Sequence, residues 1–258
     1  MTKLFVLGTG PGDLNLLTPK AKQAIAASTD LVAYGLYIDL MGEICAGKVR
    51  HDLPLGEEIN RARLALDLAA QGKATALISS GDIGIYAMAT LVFELLDRQL
   101  QGLEACPQWL DVEIEVIPGI SAMQAGASAV GAMLGHDFCT ISLSDLLTPW
   151  ETIKKRIECA AAGDFVVSFY NPVSKKRDWQ LNTARDILLT SRPANTPVMI
   201  GRQLTRADQN IHIIELQNLD AKDVDMFTMV SVGNSDSRHI VNGSKEWVYT
   251  PRGYSKKL

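Results

Sequence analysis

Three glycine turns hold the residues of this chain best placed to meet a ligand. They are Gly8-Thr9-Gly10-Pro11-Gly12-Asp13, Ser79-Ser80-Gly81-Asp82-Ile83-Gly84 and Ile117-Pro118-Gly119-Ile120-Ser121. Each follows a short apolar run and precedes a helical pattern. Each should therefore sit at the carboxyl end of a strand, where open α/β sheets bind ligands. The first turn has the spacing of a dinucleotide fingerprint, GxGxxG, except that its sixth position is Asp13, whose carboxylate would oppose a pyrophosphate. Five residues, Asp13 to Leu17, also stand between the glycines and Thr18. Phosphate binding at a helix N-terminus needs loop and helix to be continuous. Nicotinamide and flavin are disfavoured on both counts, although the glycines also suit a plain tight turn. In the second turn Asp82 is able to accept hydrogen bonds from a ribose or an amine, or to cap a helix starting near Tyr86. In the third, the small residues after Ser121 admit a flat ligand close to the backbone, or serve tight helix–sheet packing. Three turns without a phosphate signature suit a neutral or cationic nucleoside.

The turns need a frame that brings them together. Residues 3–8 form a strand entering the first turn. Thr18-Pro19 has the form of an N-cap followed by proline at the first helical position, with a helix to about Ser28. A second strand is expected at 30–35, then helices near 36–46 and over Glu57–Gln71, the latter stopped by Gly72. Residues 73–82 read as a strand entering the second turn, Tyr86–Arg98 as a helix, and 112–119 as a β-branched strand entering the third turn. A small-residue helix then opens the second half. Strands at 138–144 and 164–172 are separated by a helix at 150–162 and followed by one at 177–190. Closing strands are expected around 197–203, 210–216 and 226–234. Alternating strands and helices predict a mainly parallel sheet in the first half. The closing strands lack long helices between them, which predicts a mixed sheet in the second. The fold expected is two α/β domains, residues 1–117 and 118–258, with the boundary falling somewhere in 106–120.

Composition narrows the partners. Of 258 residues, 47% are hydrophobic and 21% charged, a globular balance, and the net charge of -4 supplies no basic field for nucleic acid. No apolar run reaches the ~18 residues of a membrane span. The sequence MTKLFVLGTG passes straight into a strand without the features of a secretory signal, which points to the cytoplasm. Cys45, Cys106, Cys139 and Cys159 form no CxxC pair and read as free thiols, so no metal site is expected.

GTGPGD (8–13), SSGDIGIYAMA (79–89) and IPGISAM (117–123), in this order and spacing, resemble the tetrapyrrole (class III) methyltransferases. Within that family, residues 135–157, 169–181, 232–240 and 250–254 resemble the branch that methylates C17 of the precorrin macrocycle. The resemblance runs over essentially the whole chain. It departs at Ile83, where the family usually has proline, and at Ala87, where it usually has glycine. It implies two α/β domains with S-adenosylmethionine in a cleft between them, a tetrapyrrole substrate, a homodimer, and methylation coupled to ring contraction. Carried over by position, the cofactor contacts are Pro11, Ser80, Gly81, Asp82, Ile85, Ser121 and Ala122, with Asn171 and the turn near Leu204 from the second domain.

Methyl transfer from a sulfonium to an electron-rich carbon needs no enzymic nucleophile, and none is evident. Ring contraction moves protons, for which the candidates are Asp82, His136, Asp137 and Asp145, with Ser142, Ser144 and Thr148 as orienters. His136 has a rival reading as a loop residue closing a helix, and Asp145 as the cap of the helix after Thr148-Pro149. Lys175, Lys176 and Arg177 follow a strand end directly and are expected to hold the acetate and propionate groups of such a substrate, arginine through two hydrogen bonds. Two alternatives stay open: another methyltransferase of the family, and a non-catalytic module that binds S-adenosylmethionine or a tetrapyrrole.

Overall fold

A computed structural model describes residues 3–174, 177–254 and Lys257. The chain separates into two compact units, one ending at Ser121 and the other starting at Ala122.

The first unit contains strands β1 (Lys3–Gly8), β2 (Asp30–Ala33), β3 (Val49–Asp52), β4 (Thr75–Ser79) and β5 (Glu113–Ile117). Its helices are α1 (Pro19–Ala27), α2 (Gly35–Asp39), α3 (Glu58–Ala70) and α4 (Met88–Leu100). All strands run parallel, in the order β3-β2-β4-β1-β5. Alternation along β1 serves both faces. Leu4 and Val6 join the cluster under α3 and α4, while Phe5 and Leu7 join that under α1 and α2. A strand buried on both faces reads as one apolar run, as LFVL does. At the start of α1, Thr18 Oγ1 accepts from the Ala21 amide at 3.2 Å and Pro19 occupies the first helical position, as predicted. The helices leaving β1 and β4, which are neighbours, pack on opposite faces of the sheet. Their carboxyl ends therefore form a topological switch point, the place where such sheets open a crevice.

Two elements of this half differ from expectation. The helix expected at 36–46 stops at Asp39, and a 3-10 turn, Gly42–Cys45, follows with Gly42 at φ 51°. Strand β3 is a mostly polar, solvent-facing edge strand, so its four residues carry no alternating apolar signal.

The second unit opens with α5 (Ala122–Val130) and β6 (Gly131–Ala132). β7 (Phe138–Ser142), α6 (Trp150–Ala162), β8 (Val166–Tyr170) and α7 (Gln180–Leu189) follow. The chain closes with β9 (Pro197–Arg202), β10 (Asn210–Glu215), β11 (Thr228–Val232), β12 (Arg238–Asn242) and β13 (Lys245–Tyr249). The main sheet has the order β10-β9-β11-β8-β7, parallel between β7 and β8 and antiparallel elsewhere. It is the mixed sheet that the closing strands predicted. Ile153, Ile157, Ala160 and Ala161 of α6 and Leu181, Ala184 and Leu188 of α7 fill one core with the sheet. A second cluster joins Met123, Ala127 and Val130 of α5 to Met199, Leu204 and Met229. Strands β12, β13 and β6 form a separate small sheet that the periodicity did not predict. Every residue of β12 is exposed, which erases the alternation, but the Asn242-Gly243 dipeptide is a hairpin signal.

Candidate functional site

The three glycine turns meet at the carboxyl ends of β4, β1 and β5, and their backbones hold one another. Gly10 and Gly81 form an antiparallel bridge, with Gly10 N donating to Gly81 O at 3.1 Å and Gly81 N to Gly10 O at 2.7 Å. Thr9 N and Oγ1 both donate to Ser79 O, and Ser80 Oγ donates to Gly10 O at 3.3 Å. The third turn approaches so closely that side chains are excluded. A Cβ on Gly119 would overlap the Gly81 carbonyl oxygen and lie 2.8 Å from the Gly8 carbonyl carbon. A Cβ on Gly8 would likewise overlap Gly81 O. Gly81 itself stands at φ 71°, where L side chains are strained, and a Cβ there would meet nothing within 4 Å. Bare backbone beside open space is what a nucleoside lying flat on a turn requires.

Asp82 joins the second turn to the third. Its Oδ1 accepts from Gly84 N at 2.8 Å and its Oδ2 from Gly119 N at 3.0 Å. It does not cap the next helix: α4 begins at Met88, and its N-cap, Ala87, makes no side-chain bond. The helix starts late because Tyr86 takes a left-handed conformation, φ 50°, and exposes half its surface. Ile83, the departure from proline, is wholly buried in the core beneath α4, so the substitution lands in packing. Pro11 and Ser121 are buried in their turns, and Ile85 is half-buried. The structure thus gathers Pro11, Ser80, Gly81, Asp82, Ile85 and Ser121 into the turns of one sheet edge.

In the second unit, each predicted residue has a definite setting. Ala122 is the half-buried first residue of α5. Asn171, just past β8, is exposed at φ 51° and donates from Nδ2 to Ser142 Oγ at 3.0 Å. Leu204 turns its side chain into the core, at 4% exposure, so only its backbone is free to meet a ligand. Gln203 and Thr205 on either side have φ of 48° and 65°. Such left-handed conformations in residues other than glycine cluster at binding sites.

The proton-transfer candidates separate. His136 is exposed and its Nδ1 accepts from Asp137 N at 2.8 Å, which leaves the neutral ring's proton on Nε2. It closes no helix, because α5 ends at Val130 and β6 intervenes. Asp145 is held from below: Gln180 Nε2 donates to Oδ2 at 3.2 Å, and Arg177 Nε lies 3.8 Å from Oδ1. It does not cap α6, whose N-cap position is Pro149. Ser142, one of the expected orienters, accepts from Asn171 Nδ2 and from Ser144 N.

Arg177 is a correction. Lys175 and Lys176 lie outside the described residues, but Arg177 is 7% exposed and points inward. Its Nη1 donates to Leu143 O at 2.9 Å, and burial pulls the guanidinium below its usual range while Asp145 opposes the shift. The sequence predicts a guanidinium that holds a substrate carboxylate through two hydrogen bonds. The Ser174–Arg177 bridge instead turns the side chain under the loop after β7. The Gln180 anchor was missed, since nothing in its spacing marks a buried amide. Among the described residues no group of three or more His, Cys, Asp or Glu is placed to hold a metal ion.

The family model for Tetrapyrrole (Corrin/Porphyrin) Methylases matches residues 3–220, and the chain belongs to this family. It is 41% identical over 253 residues to a precorrin-3B C(17)-methyltransferase of Sinorhizobium sp, covering 98% of this chain and 97% of that one. It is 42% identical over 252 residues to a probable cobalt-factor III C(17)-methyltransferase of Salmonella typhimurium, covering 98% and 99%. Among solved structures it is similar to the methyltransferase CobJ, with a TM-score of 0.88 and 39% identity over 97% of this chain and 100% of that one. The chain spans about half the length, 48%, of other curated relatives it matches.

Proposed function

We propose that this protein is an S-adenosylmethionine-dependent C-methyltransferase that methylates C17 of precorrin-3B, or of its cobalt-bearing counterpart, with contraction of the macrocycle, in cobalamin biosynthesis. One observation carries the reading: in a chain of the tetrapyrrole methylase family, three mutually bonded glycine turns present bare backbone at the switch point of a parallel sheet. The open space beside Gly81 leaves its backbone accessible to a cofactor, and a sulfonium nucleoside is in keeping with turns that lack a phosphate signature. When bound, the cofactor supplies an electrophilic methyl group.

The chain's own part is to hold and orient. Pro11 in the first turn, Ser80, Gly81, Asp82 and Ile85 in the second, and Ser121 and Ala122 after the third contact the cofactor largely through main chain. Asn171 and the turn at Leu204 supply contacts from the second domain. Fixing donor and acceptor in an attack geometry removes much of the entropic part of the barrier. Lys175 and Lys176 meet carboxylates of the substrate, and Arg177 is itself anchored on Leu143 O. His136, with its proton on Nε2, and Asp145, steadied by Gln180 and Arg177, are the residues that exchange protons during contraction. The reading includes a cytoplasmic homodimer. No described helix is long and apolar enough to cross a membrane.

Anaerobic incubation with labelled S-adenosylmethionine and either precorrin-3B or the cobalt-bearing tetrapyrrole tests this. Gain of one methyl together with the optical spectrum of a contracted ring supports the assignment and selects the substrate. Cofactor binding without turnover of either tetrapyrrole overturns the C17 assignment. Light scattering at twice the chain's mass tests the dimer.

A further inference from the structure

We infer that Asp82 is a positioning residue: its carboxylate clamps the second glycine turn to the third and so preorganises the cofactor surface, rather than exchanging protons. The inference rests on the proposed cofactor site and deepens it.

The three turns are joined pairwise. The first and second share the Gly10–Gly81 bridge, and the first and third are pressed together at Gly8 and Gly119. Between the second and third, the bond from Gly119 N to Asp82 Oδ2 is a polar link that spans 37 residues of sequence. The other oxygen, Oδ1, closes a local turn on Gly84 N. Both oxygens thus accept from backbone amides, each a charge-assisted bond of the stronger kind. A proton acceptor in catalysis needs a lone pair directed at the reacting atom. Here one lone pair on each oxygen is committed to the framework. The close packing of Gly119 on Gly81 O brings two backbones together at a point where the amide of Gly119 must find a partner, and Asp82 is that partner. A neutral side chain of the same size cannot replace it. In Asp82→Asn one end of the group becomes a donor, so either Gly84 N or Gly119 N faces a donor instead of an acceptor.

Asp82→Asn and Asp82→Ala are compared with the wild-type chain by calorimetry with S-adenosylhomocysteine, by steady-state turnover, and by amide exchange. The expected result is that Asp82→Asn weakens S-adenosylhomocysteine binding by about tenfold to a hundredfold, the loss of one charge-assisted bond. The loss falls on cofactor affinity, and so on KM for S-adenosylmethionine, more than on kcat, and the pH profile keeps the same limbs. Asp82→Ala shows the larger affinity loss. A fall in kcat of about a hundredfold with unchanged affinity, or a lost limb of the pH profile, would show that Asp82 moves a proton and would overturn the inference. Unchanged affinity and turnover would overturn it as well. Exchange on the wild-type protein decides the matter even where the variants do not fold: slow exchange at Gly84 and Gly119 is expected, and fast exchange at Gly119 refutes the clamp. This readout needs no cofactor, so a protein that fails to bind S-adenosylhomocysteine sinks the functional proposal while the clamp is still judged.

Discussion

Replacing Gly119 by alanine probes the close approach of the turns most directly. The added methyl would overlap Gly81 O and stand 2.8 Å and 2.9 Å from the carbon and oxygen of the Gly8 carbonyl. Unstrained contacts between carbon atoms lie at about 3.5–4.0 Å, so the backbones must part by roughly 1 Å. None of these neighbours is a side chain able to rotate away. They are the end of β1 and the turn after β4, and these two strands are paired to each other along their length. Overpacking costs about 1–3 kcal/mol, and the rigidity of this site places it at the upper end. The same displacement stretches the 3.0 Å bond from Gly119 N to Asp82 out of range. About 3 kcal/mol corresponds to a factor of roughly a hundred in affinity if the strain is relieved by opening the turns. The assay is titration calorimetry with S-adenosylhomocysteine, alongside circular dichroism to confirm that the fold persists. Gly102→Ala is the control. Gly102 also has positive φ, 71°, but a Cβ there meets nothing within 4 Å, and it follows α4 rather than a strand end. That variant should lose about 1–2 kcal/mol of stability with unchanged affinity. If Gly119→Ala binds within about threefold of wild type, the tight meeting of the turns does not shape the site.

Two further outcomes test the frame. Asp30, buried at the start of β2, accepts from His51, Thr29 and Lys73. Burial, the largest single influence, pushes its carboxyl up, but these partners together outweigh it and leave it below its ordinary value of 3.8. A depressed carboxylate stabilises the fold above the unfolded value and ceases to do so as pH falls through the folded one. The stability difference between wild type and Asp30→Asn should therefore be present at pH 7 and shrink below pH 3.8, read by urea midpoints; a difference independent of pH would contradict it. In the second unit Arg192, whose side chain is wholly buried and whose ionisation burial pulls down to about 10, donates to Gly233 O and Phe165 O at 2.6 Å. Arg192→Met strands both carbonyls and should cost about 2–5 kcal/mol by urea denaturation, with Arg192→Lys recovering only part; a loss under about 1 kcal/mol would mean that water replaces the guanidinium.

Features set by near neighbours along the chain are legible in the sequence. Thr18-Pro19 specifies the start of α1 because a cap and its amide are three residues apart. The spacing of Ile153, Ile157, Ala160 and Ala161 places one face of α6 on the core, and its limits, Trp150–Ala162, are those expected from the sequence. The glycine turns were legible for the same reason, since each is a local break between a strand and a helix. Strand β3 and the hairpin of β12 and β13 were not, because exposed strands lack the alternation that burial imposes. The tertiary structure alone decided which groups meet. Asp82 reads locally as a helix cap, yet its partner is Gly119, because β4 and β5 both flank β1 and bring their ends together. Arg177 reads as the third of three cations that hold substrate carboxylates, yet the Ser174–Arg177 bridge turns it beneath Leu143. Local pattern reports partners a few residues apart, whereas the acceptor for a given amide is set by strand order, which emerges only when the sheet is assembled.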